Sequence, residues 1–157
     1  LGLGVAALDE MMELELAEEL DADEILARLK QHTVTGLDFC SVEVLAPDTH
    51  KGQIENVVYE FPVPSDRRAQ VARLIDQFLA EETRLVTRPN RRTPVDIRRD
   101  VESLELVGDR LRMQFAMKRD ASVRPRDLLA VLELTDLEQQ GSYLTRTSVQ
   151  LQTDEVS

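Results

Sequence analysis

The stretch TRPNRRTPVDIRR, residues 87–99, has the residue types and spacing to hold an anion. Arginine presents a planar fork of donors that fits phosphate or carboxylate, whereas lysine presents a point charge. Residues 84–99, here called the arginine loop, carry one acid, Asp96, against Arg84, Arg88, Arg91, Arg92, Arg98 and Arg99. Prolines at 89 and 94 stiffen this loop, so we expect Arg88, Arg91 and Arg92 to project from it. Such a loop suits an RNA backbone, a phosphorylated ligand or an acidic protein surface.

Two further arginines, Arg124 and Arg126, flank Pro125 at a predicted helix start and extend this surface, since helix N-termini attract anions. The alternative for the arginine loop is a solvated hairpin tip.

RNA binding has two features against it. A net charge of -11 opposes non-specific affinity for nucleic acid, and aromatic residues make up 4% of the chain, with no Trp. We expect every aromatic side chain in the core, which leaves no stacking platform.

The chain also has an acidic block, opposite in charge to the arginine loop. Nine carboxylates lie between Asp9 and Glu24. Wet-face strand residues, a helix cap and the helix macrodipole explain most of them. Convergent oxygens could also bind a hard cation, although no loop here has ligand spacing. Pairing between the acidic block and the arginine loop, within one chain or between two copies, would explain both features. Exposed ion pairs add only about 0–1 kcal/mol each, so such contacts would set orientation more than stability.

Few residues of the chain suit catalysis or metal binding. The single cysteine, Cys40, excludes an internal disulfide, and we expect it to be a small core residue. The two histidines, His32 and His50, have no zinc-ligand spacing; we expect His32 to face solvent at a helix end. No nucleotide-binding glycine motif is supported. We therefore expect no metal and no cofactor.

Composition predicts a soluble protein that folds as one domain or two small ones. The chain has 157 residues, 42% of them hydrophobic and 31% charged. No apolar run approaches the roughly 20 residues of a membrane helix, so we expect no membrane contact. The absence of a secretion signal and the lone cysteine favour the cytoplasm. The missing starting Met suggests a fragment of a longer protein or a chain whose first residues are absent.

Residues 1–47 are predicted to form a β-α-β unit. The alternation of MMELEL, residues 11–16, indicates a strand with one wet face, and LDFCSVEVL, residues 37–45, is strand-like in composition. Between them a helix should begin at Asp21, with Glu24 completing a capping box and Leu20 packing on Ile25. Residues 46–53 are turn-rich and mark a domain boundary.

Residues 53–157 are predicted to form a second, complete α+β unit of order β-α-β-β-β-β-α-β. A strand over NVVYEFPVP precedes a helix capped by Ser65, and Gly108 closes a hairpin. Pro125 starts a helix to about Leu134, and residues 143–151 form the closing strand. Short strands at 84–86 and 94–97 make the arginine loop a hairpin. The interleaving predicts α+β sandwiches of the ferredoxin-like kind, one partial and one complete, with antiparallel sheets.

Several segments resemble the bacterial radical SAM-linked protein family, whose function is unknown. The likeness lies in residues 1–29, RRTPVDIR, LELVGDRLRMQF, SVRPRDLLAVLEL and LTRTSVQL, and it covers most of the chain in order. It implies a gene next to, or fused to, that of a radical S-adenosylmethionine enzyme. The family's FLSHLDL-like helix and GFNPHP-like loop would lie upstream of Leu1. The chain would then hold only the C-terminal portion of the family's sequence, starting midway through its first ferredoxin-like unit.

A half-unit leaves a strand edge unpaired. Residues 1–46 would then dock on the second unit, pair with another copy to form a homodimer, or await an upstream segment; alternatively they belong to one continuous sheet. A radical SAM cluster needs three cysteines, so this chain is not the radical enzyme. We expect a non-catalytic accessory domain that docks a radical SAM enzyme or its RNA-related substrate through the arginine loop. The alternative is an enzyme whose active site needs the upstream segment, with Asp96, Arg98 or Arg99 holding an anionic substrate.

Overall fold

The computed structural model describes residues 4–45, 52–89, 91–117 and 123–151. The chain divides into two units, one formed by Leu1–Met11 with Gly52–Ser157 and the other by Met12–Lys51. In chain order the described residues form β1 (Val5–Ala7), α1 (Ala22–His32), β2 (Ile54–Pro62), α2 (Arg68–Ala80), β3 (Leu85–Val86), β4 (Val95–Asp96), β5 (Val101–Val107), β6 (Arg110–Ala116), α3 (Pro125–Val131), α4 (Thr135–Gln139) and β7 (Leu144–Leu151).

The larger unit is built on a five-stranded sheet of order β1-β7-β2-β6-β5. Strands β2, β5, β6 and β7 pair antiparallel, and β1 pairs parallel to β7. Without β1 the order β7-β2-β6-β5, with α2 after β2 and α3 before β7, is the split β-α-β arrangement of a ferredoxin-like unit. The α+β class expected from the sequence is confirmed.

The core of this unit lies between the sheet and α2 and α3. Alternation along β2 and β6 turns every second side chain to this face, and α2 adds residues one helical turn apart. Phe61, Phe78 and Phe115 are among the side chains that are fully buried there. The periodic helix predicted around Val71 and Ile75 is confirmed, and both of these residues are buried.

Local signals set the turns and helix ends of the unit. Gly108 has φ +62 between β5 and β6, which confirms the predicted hairpin. Pro125 occupies the first turn of α3, as expected. Helix α3 ends at Val131, earlier than expected, because Glu133 adopts φ +57 and its N–H bonds to the Ala130 carbonyl at 3.2 Å. The short helix α4 follows.

Ser65 is not the cap of α2, contrary to the sequence prediction. The chain turns first at residues 65–67, where the N–H of Arg67 bonds to the Pro64 carbonyl at 3.0 Å. Arg67 is therefore the residue before the helix, which begins at Arg68. The parallel strand β1 at Val5–Ala7 was not foreseen either, since a three-residue strand carries too little pattern.

The unit of residues 12–51 contains α1. Asp21 is its N-cap, and its Oδ1 accepts the N–H of Glu24 at 2.8 Å, which confirms the predicted helix start. Residues 11–16 and 37–45 are not strands, so the β-α-β pattern predicted for residues 1–47 is wrong there. Alternation gives a segment one apolar face but does not supply a partner, and a strand exists only through hydrogen bonds to another strand.

Candidate functional site

The arginine loop is fastened to the start of α3 by a nearly buried ion pair. Arg88 Nη2 bonds to Asp127 Oδ2, and Arg88 Nε lies 3.3 Å from Asp127 Oδ1. The two side chains are only 10% and 13% exposed. The fork of one guanidinium therefore meets both oxygens of one carboxylate, the strongest geometry for such a pair. The expectation that Arg88 projects from the loop is wrong, because Asp127 holds it inward.

Asp127 also organises the residues just before α3. Its Oδ2 accepts the backbone N–H of Arg124 at 3.0 Å, which is the acidic half of a capping box. The loop turns directly beyond Arg88, where the N–H of Arg91 bonds to the Arg88 carbonyl at 3.1 Å. One carboxylate thus brings the tip of the arginine loop and Arg124 to the same side of the molecule.

The acid inside the loop closes its base, and it forms no ion pair with a guanidinium group of the described residues. Asp96 Oδ1 accepts the backbone N–H groups of Arg84 at 2.9 Å and Arg98 at 3.0 Å. Together with the β3–β4 pairing, these bonds make the predicted hairpin. The Arg84 side chain turns instead to Glu81, with Nη1 3.1 Å from Oε1.

Arg98 and Arg99 are held by their own molecule. The Arg98 guanidinium lies over the Phe78 ring, 5.7 Å from its centroid, and it bonds to the carbonyls of Leu79 at 3.4 Å and Val101 at 3.3 Å. Arg99 Nε lies 3.4 Å from Asp100 Oδ1, and Asp100 is buried. Arg98 therefore stabilises the base of the loop, whereas the Arg99 side chain is 48% exposed and this ion pair is with the next residue.

Three of the eight predicted site residues, here called the exposed trio, are Arg91, Arg92 and Arg124. All three are exposed, and no guanidinium of the trio pairs with a carboxylate within residues 4–45, 52–89, 91–117 and 123–151. Their assignment as an anion-binding site stays a prediction. The structure separates them from Arg84, Arg88, Arg98 and Arg99, whose side chains bind within the protein.

The eighth residue, Arg126, lines a cavity beside α4. Its Nε lies 2.8 Å from Glu138 Oε1. The cavity has a volume of about 300 Å³ and is lined by Gly4, Arg126, Glu138, Gln139, Ser142 and Tyr143. Tyr143 is 67% exposed, so the expectation that all aromatic residues lie in the core is wrong here. Alternation could have shown this, because the neighbouring Leu144 is buried and begins β7.

Arg146 is a half-buried cation that sequence reasoning missed. Its Nε lies 2.5 Å from Glu10 Oε1, and its Nη2 bonds to Glu10 Oε2. The hydrogen bond that Arg146 donates to Glu10 raises the pKa of Arg146 above its usual range, although burial opposes this. The pair fastens the segment after β1 to β7, where the Leu8 N–H also bonds to the Arg146 carbonyl at 2.9 Å. Its role is structural.

The remaining candidates have different outcomes. His32 is exposed in the last turn of α1, as expected, whereas Cys40 is exposed and is not a core residue. His50 lies outside the described residues. Across the described ranges no three His, Cys, Asp or Glu side chains gather as metal ligands. None of the helices in those ranges has the length and apolarity to cross a bilayer.

Comparison with known proteins places the chain in a family. Residues 1–125 match the family described as an uncharacterized protein conserved in bacteria, DUF2344, and the chain belongs to it. Comparisons with curated proteins and with solved structures gave no match. The matched span contains the arginine loop and Arg124, while Arg126 and Tyr143 lie beyond it.

Proposed function

We propose that this member of DUF2344 is a non-catalytic accessory domain that binds an anionic partner through the exposed trio. The observation that carries the proposal is the contrast within one loop. Arg88 is used to fix the loop against Asp127, and Arg91 and Arg92 stand exposed beyond that anchor. A loop braced at Arg88 has its backbone restrained before the partner arrives, which lowers the entropy cost of binding.

Arginine chemistry favours recognition over catalysis at this site. A guanidinium group stays protonated at every working pH, so it cannot act as a general base. It binds phosphate or carboxylate oxygens through paired donors. The trio therefore suits a ligand that arrives with its negative charges already in place, such as a phosphodiester chain or an acidic protein surface.

The biological setting is a proposal that rests on the resemblance to radical SAM-linked proteins. On that basis the chain serves a radical S-adenosylmethionine enzyme, either by docking it or by holding its RNA-related substrate. Exposed ion pairs contribute only about 0–1 kcal/mol each. We therefore expect association to be steered by charge, to depend strongly on salt and to be tight only where other contacts add to the trio.

The test compares two charge-matched triple variants. The first is Arg91→Ala with Arg92→Ala and Arg124→Ala. The second removes Arg73, Arg110 and Arg112, which are exposed on α2 and β6 outside the trio. Binding is measured separately to the purified radical SAM enzyme encoded beside the gene and to single-stranded RNA.

We expect the trio variant to lose binding to one of these ligands while its melting temperature stays close to that of the wild type. The control variant should bind like the wild type. Equal binding by all three proteins, or binding of neither ligand to the wild type, would refute the proposal.

A further inference from the structure

We propose that the cavity beside Tyr143 receives one base of a single-stranded RNA whose phosphates lie on the exposed trio. This inference rests on the proposed anion-binding function and names the partner as RNA. It also assigns a second contact, which the arginine loop does not supply.

The first support is the exposure of Tyr143. Its side chain lies at the edge of the cavity with two thirds of its surface open to solvent, and the only ring pair within the described residues joins Tyr59 to Phe115. Proteins read single-stranded RNA by stacking splayed bases on aromatic rings. We therefore assign to Tyr143 the stacking role for which the sequence offered no candidate.

The second support is the chemistry of the cavity wall. Glu138 has its carboxylate fixed by Arg126, and Gln139 and Ser142 add an amide and a hydroxyl. Together these groups can accept from and donate to the edge of a base. A volume of about 300 Å³ is at the lower limit for ligand pockets and is sufficient for a single base.

The third support is that the cavity and the trio share one anchor. Arg126, in the cavity wall, is the neighbour in sequence of Asp127. Asp127 in turn holds Arg88 of the arginine loop and the backbone of Arg124. Arg124 and the cavity-lining Arg126 are two residues apart at the start of α3, so on this proposal a strand with one base beside Tyr143 has an adjoining phosphate at Arg124. Such a combination of stacking and backbone charge is typical of single-strand binding.

The two central strands of the sheet offer no exposed ring for a base, which favours the cavity beside Tyr143 as the base site. RNA-binding ferredoxin-like domains stack bases on aromatic residues of the two central strands. Here those strands are β2 and β6, and their rings, Tyr59, Phe61 and Phe115, pack in the hydrophobic core. Glu60 and Arg112 stand opposite each other in register between these strands and offer no ring.

The absence of Trp and the presence of only two tyrosines make a direct assay available. Because the chain has no Trp, Tyr143 is the only source of tyrosine fluorescence in the full chain carrying Tyr59→Phe. Titration with a short oligoadenylate should quench this emission as a base stacks on the ring. Titration with adenosine monophosphate tests whether a free nucleotide is the ligand. An unquenched signal at RNA concentrations that saturate binding would overturn the proposal.

Affinity is measured in parallel from the anisotropy of a labelled oligoadenylate. Tyr143→Ala should weaken binding roughly 5- to 140-fold, the range for loss of one stacked base. Tyr143→Phe keeps the ring and should bind within about threefold of the wild type by the same measure. Thermal unfolding confirms that each variant is folded, which is expected because Tyr143 is exposed.

The outcomes separate this inference from the proposed function. If the trio variant loses RNA and Tyr143→Ala does not, the base site is refuted and the anion-binding function stands. If Tyr143→Ala loses RNA and the trio variant does not, the phosphates do not lie on the trio and this inference is refuted, while the anion-binding function is decided by binding to the enzyme. If the monophosphate binds as tightly as the oligonucleotide, the site takes a free nucleotide and the RNA assignment is refuted.

Discussion

The ion pair between Arg88 and Asp127 offers the sharpest test of how the arginine loop is held. The variant Arg88→Met keeps the length and apolar stem of the side chain but removes its charge and donors. The side chain of Asp127, 13% exposed in the wild type, then loses its charged partner. It keeps the hydrogen bond from the backbone N–H of Arg124 at 3.0 Å.

The expected cost lies near the value for a buried pair. Removing one partner of a buried ion pair costs about 3–5 kcal/mol, whereas an exposed pair contributes about 0–1 kcal/mol. The two side chains are 10% and 13% exposed, and the bond from Arg124 partly compensates the remaining carboxylate. We therefore expect Arg88→Met to lower the free energy of unfolding by about 2–3 kcal/mol.

A double-mutant cycle isolates the pair itself. Asp127→Asn removes the charge and keeps an oxygen that can accept the N–H of Arg124. Urea unfolding of the two single variants and the double variant should give a coupling energy of about 1–3 kcal/mol. Midpoints should shift without a change in the denaturant slope if the fold is otherwise kept.

The control is Arg84→Met, whose pair with Glu81 is 40% and 32% exposed. It should cost no more than about 1 kcal/mol. An equal, small loss for Arg88→Met and Arg84→Met, with no coupling between Arg88 and Asp127, would show that the loop is not anchored as described.

Three further perturbations test the fold around the site. Glu133 has φ +57 at the end of α3, which strains any residue except glycine. Glu133→Gly should therefore raise the free energy of unfolding by up to about 1 kcal/mol, although the hydrogen bond from Gln70 is lost. A lower urea midpoint than that of the wild type would show that this backbone strain is absent. Gly141 has φ +101 at the end of α4, so Gly141→Ala should cost about 1 kcal/mol or more, and a neutral result in the same assay would count against that backbone. Arg146→Met should cost about 1 kcal/mol. Since a raised folded pKa contributes stability below the unfolded pKa, this loss should stay constant in unfolding measured from about pH 6 to pH 9, and a loss that fades across that window would refute the assignment.

Sequence reasoning succeeded where the determinants are local. Asp21 caps α1 through a bond three residues away, Gly108 supplies a positive φ within a two-strand hairpin, and Pro125 starts α3. Each signal acts within one turn of chain, so the residue types alone identify it. The order of these elements was then enough to predict the α+β class.

Prediction failed where the outcome depends on a distant partner. Alternation at residues 11–16 and composition at residues 37–45 both indicated strands, but the structure pairs neither of them. Conversely, β1 is a strand because β7, more than a hundred residues later, accepts it in parallel. Strand pairing depends on distant residues, so a local pattern can show that a segment is suited to a strand but cannot show that another strand pairs with it.

Prediction of the candidate site also succeeded for local features and failed where distant contacts decide. The sequence identified a concentration of arginines but not which of them would be exposed. Arg88 is held by an acid 39 residues later, and Arg98 by a ring on another element. Tyr143 was assigned to the core because aromatic residues are usually buried, whereas its position before the buried Leu144 turns it outward.

The most direct test of the central claim is the salt dependence of binding by the exposed trio. Binding of single-stranded RNA and of the radical SAM enzyme proposed as a partner is measured against salt concentration for the wild type, the trio variant and the charge-matched control. For RNA, each lost phosphate contact should lower the slope of log K against log salt by about 0.7, so the trio variant should lose about 2 and the control nothing. For the enzyme, only the trio variant should lose its salt dependence. Equal slopes for the trio variant and the control with both ligands would contradict the account.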